Sequence, residues 1–183
     1  LKPGIKYFTS NPGMHQTIQV EYLSLEPEVL HELEERFVLV FSGQRRLARN
    51  VLRSETSQLI RNDEDALNAI EHIRELSALM PYYLLRGDLP RFAQCLTKQL
   101  SYVKTLDKGA TNTCVDYIFD VCADLIDGKS VCGAGGGGFL QMILKKNVTK
   151  EMLIQRIEDE FHGCGVEVWN SNLYLDENMR KHS

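Results

Sequence analysis

Between Thr17 and Leu25 apolar and polar positions alternate, with Ile18, Val20 and Tyr22 on one side and a slip of phase at Leu23. That period predicts a half-buried strand. Pro27, followed by Val29, Leu30 and Leu33, predicts a short helix, and Phe37–Phe41 is a continuous β-prone run of the kind central strands carry, stopped by Ser42-Gly43. Ahead of these, Pro3-Gly4 and Pro12-Gly13 bracket a Tyr-Phe pair, which predicts an irregular lead-in over residues 1–16. From about Arg46 to Ile126 the spacing becomes helical. Leu47, Val51, Leu59 and Ile60 mark one amphipathic segment, and Asp63 caps a second with Leu67, Ile70, Ile73 and Leu76, which Pro81 kinks or ends. Asp88 caps a third, with Phe92, Leu96 and Leu100 four apart, and Thr113–Ile126 is a fourth, with Val115, Ile118, Phe119 and Cys122 on one face. Lys108–Asn112 reads as the loop between them.

Strand character returns after Gly128, at Ser130-Val131-Cys132 and again at Phe139–Leu144, with a run of glycines between. Thr149 caps a last helix carrying Met152, Leu153, Ile157 and Phe161, and Gly163-Cys164-Gly165 turns into Val166–Trp169. Strands at both ends with helices between them predict an α+β fold, a small mostly antiparallel sheet with helices packed on one face. The expected division is a domain over 17–175 and a polar tail over 176–183.

Composition narrows the function classes. The chain has 183 residues, 43% apolar and 25% charged, which suits one globular domain and excludes a disordered one. Against 25 acidic residues stand 21 Lys and Arg, a net charge of −4, so there is no broad positive field for nucleic acid. The longest apolar runs are strand-sized, so no membrane span is expected, and nothing in the opening residues reads as a secretion leader. The five cysteines (Cys95, Cys114, Cys122, Cys132 and Cys164) include no C-x-x-C pair and read as reduced packing residues of a cytoplasmic protein. The five histidines are scattered without metal-ligand spacing, so no zinc site is expected. A chain that starts at Leu1 rather than Met reads as a piece of a longer one.

Five of the 13 glycines (Gly133, Gly135, Gly136, Gly137 and Gly138) fall within six residues. Successive glycine amides can form a concave nest for which a phosphate is the natural guest. The other reading of the run is a tight flexible loop or a close approach of two backbones. The stretch holds no Ser, Pro or charge of the kind linkers carry, and it lies between strands. Although Gly133–Gly138 satisfies G-x-G-x-x-G, strand residues follow it instead of a helix, which argues against a dinucleotide fold. A second feature is basic: Arg45, Arg46, Arg49 and Arg53 gather in nine residues at a strand end that flows into a helix. Such a place can hold an anion or can be a solvated helix face.

These residues carry a resemblance. Lys129–Phe139, with three residues between Lys129 and Gly133, resembles the K-x-x-G-A-G-x-G-G signature of the GHMP-family small-molecule kinases. Phe41–Asn50, F-S-G-Q-R-R-L-A-R-N, is similar to the Y-T-G-x-x-R-L-A-R-N segment of L-fucose kinases, with Ser42 where Thr is usual; heptose kinases share only the T-G-x-x-R part. Lys104–Asn112 resembles the linker before the last domain helix of both groups, and Leu1–Lys6 resembles the segment that follows a Q-D-Q-x-G-G motif in fucokinases. The resemblance spans Leu1 to Leu175.

What it implies is a ferredoxin-like C-terminal domain of a GHMP kinase, acting with an N-terminal kinase domain of the same chain. The implied reaction is ATP-dependent transfer of the γ-phosphoryl group to the anomeric hydroxyl of L-fucose, with a heptose 7-phosphate kinase as the neighbouring alternative. ATP and Mg²⁺ would serve the full-length enzyme, with neither held tightly by this chain. The family's P-x-x-x-G-L-G-S-S-A phosphate loop and its catalytic Asp are absent here and would lie upstream of Leu1. So no catalytic residue and no metal ligand is expected in this chain, and alone it should be silent. By the same resemblance Gly133, Ala134, Gly135, Gly136, Gly137 and Gly138 would back the ATP loop, and Gly136→Val should cripple turnover. Arg46 and Arg49 would lie near the phosphates or the domain seam. Lys104, Thr111 and Asn112 would face the sugar, although a helix cap explains Thr111 and Asn112 equally well. The rival from another class is a freestanding module of the same fold that senses a phosphorylated metabolite.

Overall fold

The computed structural model describes residues 3–13, 15–44, 63–133, 135–171 and 173. In chain order they form strands β1 (Ile5–Ser10) and β2 (Ile18–Leu23), helix α1 (Pro27–Arg36) and strand β3 (Phe37–Ser42). Helices α2 (Glu64–Leu85), α3 (Leu89–Leu106) and α4 (Thr113–Val121) follow. Strands β4 (Ile126–Val131) and β5 (Phe139–Leu144), helix α5 (Lys150–Phe161) and strand β6 (Val166–Trp169) complete the order. The predicted amphipathic segment from Leu47 to Ile60 and the polar tail from Asp176 lie outside the described residues.

Four strands make one antiparallel sheet in the order β4-β5-β3-β6, so the apolar run Phe37–Phe41 does lie in an inner strand. Its alternation is nonetheless visible in burial: Val38, Val40 and Ser42 are buried, while Phe37, Leu39 and Phe41 are half-covered. On that second face the Phe139 ring meets Phe41 at 5.4 Å and Trp169 at 5.2 Å between centroids. The buried face packs Val38, Val40, Leu140 and Met142 against Val115, Ile118 and Phe119 of α4 and Leu153, Ile157 and Phe161 of α5. Each such side chain contributes about 1.5–3 kcal/mol of burial free energy, which makes this α+β layer the stabilising centre of the fold. Ile143, turned by the alternation away from Met142, packs instead with Leu33, Leu84, Leu89, Ala93 and Leu96 in a second cluster.

The two clusters are tied by one buried cation. Arg36, 3% exposed, donates from Nε to the Leu144 carbonyl at 2.7 Å, from Nη1 to Glu32 Oε1 at 2.6 Å and from Nη2 to Asp127 Oδ2 at 2.7 Å. One guanidinium thus joins the end of α1 to β4 and β5.

Where β4 meets α3 the backbones nearly touch. A Cβ at Gly128 would lie 2.3 Å from the Ala93 carbonyl oxygen and 2.6 Å from its Cα, and neither can swing aside as a side chain could. Gly128→Ala is therefore expected to destabilise the fold by about 1–3 kcal/mol through overpacking. Urea unfolding measures this, and an unchanged midpoint would show that strand and helix are free to separate.

Three elements differ from the sequence reading. The lead-in is not irregular: Ile5–Ser10 pair with β2 in register, Phe8 opposite Val20 and Lys6 opposite Tyr22, because the Pro-Gly pairs flank the β-prone residues without interrupting them. The period of β2 is as expected but its burial is not. Ile18, Val20 and Tyr22 are 67%, 44% and 44% exposed, and Phe8 on the same face is 53% exposed. Among the described residues the hairpin meets the body at its Ile5–Leu23 end, where Ile5 packs against the second cluster and Leu23 is buried.

Pro81 neither ends nor breaks α2, which continues to Leu85; the buried Leu84 packs with Leu89 and Leu96 and carries the helix past the missing N–H. The fourth helix stops at Val121 and not at Ile126. Arg156 Nη1 takes up the Val121 carbonyl at 2.7 Å, Leu125 N–H bonds back to the Cys122 carbonyl, and Ile126 already belongs to β4. All five cysteines are free; Cys95 and Cys122 are buried, and burial pushes the Cys122 thiol up to about 11, whereas Cys164 is exposed and does not serve packing.

Candidate functional site

The glycine run is the connection between β4 and β5. Its base is closed by Cys132 N–H on the Phe139 carbonyl at 2.9 Å, and φ is positive at Gly133, Gly135, Gly136, Gly137 and Gly138. Ala134 lies outside the described residues. At Gly135 the reason for glycine is spatial as well as conformational: with φ at +70°, a Cβ would sit 2.3 Å from the Ala110 carbonyl oxygen. The loop lies flat on the backbone of the segment that precedes α4.

Three stretches of the chain meet there. Gly136 N–H donates to the Ala110 carbonyl at 2.7 Å, and Gly138 N–H donates to the Gln44 carbonyl at 2.8 Å. In return, Ser42 N–H donates to the Gly138 carbonyl at 2.9 Å. So Ser42 and Gln44 of the stretch beginning at Phe41, the segment Lys104–Asn112 and the glycine run, three of the four stretches that carry the resemblance, meet in one cluster at the end of the sheet. The Gly136 and Gly138 amides face protein carbonyls, and a full phosphate nest made of successive amides is not what the loop presents. Close backbone approach, the other reading of the run, describes Gly135 directly.

The remaining candidates fall into two groups. Asn112 joins the cluster: its Oδ1 accepts from Val115 N–H at 2.9 Å as the N-cap of α4, and its Nδ2 donates to the Gly136 carbonyl and to Gln44 Oε1, each at 2.9 Å. Lys104 and Thr111 meet on a different residue. Lys104 Nζ donates to Asp116 Oδ1 at 3.0 Å and the buried Thr111 hydroxyl to Asp116 Oδ2 at 3.2 Å, which braces the first turn of α4. Lys129, the lysine of the glycine signature, stands 5.0 Å over the Phe119 ring. Arg46 and Arg49 lie outside the described residues.

Gln44, Ala110 and Asp116 take part without having been singled out from sequence. Gln44 and Ala110 act mainly through their carbonyls, which no residue type announces. Asp116 had a signal, an acidic residue in the first turn of a capped helix. Among the described residues, no group of three or more His, Cys, Asp or Glu side chains is placed to hold a metal ion, and no helix is long and apolar enough to cross a membrane.

No family model matches the chain. It is 31% identical over 175 residues to a bifunctional fucokinase/GDP-fucose pyrophosphorylase of Arabidopsis thaliana, a match covering 96% of this chain and 16% of that protein. It is 28% identical over 142 residues to an L-fucokinase/L-fucose-1-P guanylyltransferase of Bacteroides fragilis, covering 78% of this chain and 15% of that one. The chain therefore spans about a sixth of the length of the curated relatives it matches. Among solved structures, the L. major mevalonate kinase in complex with R-mevalonate superposes with a TM-score of 0.73 at 12% identity, over 91% of this chain and 48% of that one.

Proposed function

We infer, from the premise that this chain belongs to the GHMP kinases as a fucokinase-related domain, that it is the C-terminal domain of an ATP-dependent kinase that phosphorylates L-fucose. The observation that carries the reading is the cluster just described. Three sequence stretches that resemble kinase segments, far apart in the chain, come together through backbone hydrogen bonds at one end of the sheet.

In the proposed reaction the anomeric oxygen of L-fucose forms a bond to the γ-phosphorus of ATP while the bond to the ADP oxygen breaks, giving L-fucose 1-phosphate and ADP, and the hydroxyl proton passes to the catalytic Asp expected on the preceding domain. Catalysis of this kind is chiefly positioning and stabilisation of charge. Mg²⁺ would neutralise charge on the phosphates; among the described residues no acidic cluster is placed to hold it, and its ligands are assigned to the preceding domain. With the Gly136 and Gly138 amides engaged, the glycine loop is suited to stand behind a nucleotide-binding loop as a wall rather than to wrap phosphate itself. Arg46 and Arg49 keep their proposed place near the phosphates or the seam. Lys104 and Thr111 are reassigned from the sugar side to bracing α4 through Asp116.

The partner is the preceding kinase domain of the same polypeptide, working in the cytoplasm. The length of the relatives supports it, and so does the hairpin: Phe8, Ile18, Val20 and Tyr22 form an apolar face that a two-stranded sheet does not support on its own in water.

The test is a substrate panel on the full-length parent. ADP release with L-fucose, formation of L-fucose 1-phosphate by mass, and no turnover by the 183-residue chain alone are the expected results. Phosphorylation of a heptose 7-phosphate with fucose inert would move the assignment to that substrate. Binding of a sugar phosphate by the isolated chain, with a parent inactive on both sugars, would favour the sensing module.

A further inference from the structure

We propose that Asn112 is the positioning residue of the glycine loop: its carboxamide latches the loop to the start of α4 and the end of β3, and so sets where the loop stands against the nucleotide. The proposal rests on the kinase reading above for its last clause only.

The geometry uses the whole side chain. An asparagine offers one oxygen acceptor and one NH₂ with two donors. Here Oδ1 accepts from Val115 N–H, and Nδ2 divides its two hydrogens between the Gly136 carbonyl and Gln44 Oε1, all three at 2.9 Å. The amide orientation follows from the partners, since the reverse would set an oxygen against two oxygens and a nitrogen against an N–H. Gly136 is consequently held through both of the peptide groups that flank its Cα, with N–H on the Ala110 carbonyl and C=O on Asn112. Among the described residues the loop's other hydrogen bonds run between main chains, and Asn112, itself bonded to Gln44 Oε1, is the side chain that reaches its backbone.

Capping and latching use different atoms, which separates them experimentally. Asp and Ser cap helices as well as Asn does, through an oxygen at the same position. Neither can replace the latch. In Asn112→Asp the second oxygen faces two acceptors, and in Asn112→Ser the hydroxyl is too short to reach Gly136. A purely structural cap would tolerate both variants.

The experiment uses the full-length parent with both substitutions. Three readouts are taken: the thermal midpoint, hydrogen exchange in the peptide spanning 132–139, and separate KM values for ATP and L-fucose. The expected result is a midpoint within about 2 °C of the unmodified protein, because the cap survives. Exchange in the loop peptide should be roughly tenfold faster as its latch opens. KM for ATP should rise by roughly tenfold with KM for fucose unchanged. Agreement of the neutral Ser variant with the Asp variant shows that geometry, and not an added negative charge near phosphate, is responsible. Unchanged exchange in both variants overturns the latch. Faster exchange with unchanged ATP kinetics overturns the positioning role. If the unmodified parent does not phosphorylate fucose, the kinase reading fails, and the exchange measurement still decides the latch.

Discussion

On the proposed kinase function, replacing Gly135 by alanine in the full-length parent is expected to lower kcat/KM by about a hundredfold, the scale on which a displacement of about 1 Å near reacting groups acts. The added Cβ would sit 2.3 Å from the Ala110 carbonyl oxygen and 3.0 Å from its carbon and Cα. Ala110 is buried, and its carbonyl is the acceptor for Gly136 N–H. The loop must therefore lift, and the hydrogen bond that follows in the chain lifts with it. Gly133 and Gly138 are the controls. A Cβ at either meets nothing within 4 Å, so Gly133→Ala and Gly138→Ala carry only the conformational cost of positive φ, about 1–2 kcal/mol of local strain. Steady-state kinetics across the three variants measures the contrast. Equal activity in all three would remove the loop from the reaction.

The second large effect concerns stability. Arg36→Met is expected to cost on the order of 3 kcal/mol in urea unfolding of the full-length parent. The methionine fills much of the volume, so the loss is polar. The Leu144 carbonyl, in a fully buried residue, is left without the guanidinium N–H at 2.7 Å. Glu32 and Asp127 lose their common partner, but their side chains are 35% and 28% exposed and can turn to water. This makes the carbonyl the costlier loss. Arg36→Lys separates charge from geometry: it keeps the cation but cannot serve three acceptors in one plane, so it should recover only part of the loss. A Lys variant as stable as the parent would show that charge alone ties α1 to the sheet.

Elements whose signals are local were legible in the chain. Asp63, Asp88 and Thr149 each cap the helix that follows through a side-chain oxygen, and the apolar run Phe139–Leu144 is β5 from end to end. What was not legible depends on partners distant in sequence. The alternation of β2 shows its two faces but not that both stay open from Ile18 to Tyr22, the apolar one with Ile18, Val20 and Tyr22 included. Pro81 is a strong local breaker overruled by the packing of Leu84 in the second cluster. At the site, glycine spacing pointed to the loop, yet whether its amides face an anion or protein carbonyls is decided by Ala110 and Gln44. Asn112 carried both readings at once, as a cap and as a site residue. The structure shows the cap at its oxygen and two protein acceptors, the Gly136 carbonyl and Gln44 Oε1, at its nitrogen.

That the loop is held largely by main-chain carbonyls bears on how such a site can persist through divergence. A carbonyl is the same whether it belongs to Gln44, to Ala110 or to residues that replace them, so drift at those positions leaves the anchoring intact. The anchoring restricts the alphabet where a side chain is excluded, at Gly135, where positive φ favours glycine, at Gly133, Gly136, Gly137 and Gly138, and, on the latch proposed above, where a carboxamide is required, at Asn112. An arrangement with so few obligatory letters can keep its backbone while most of its residues change.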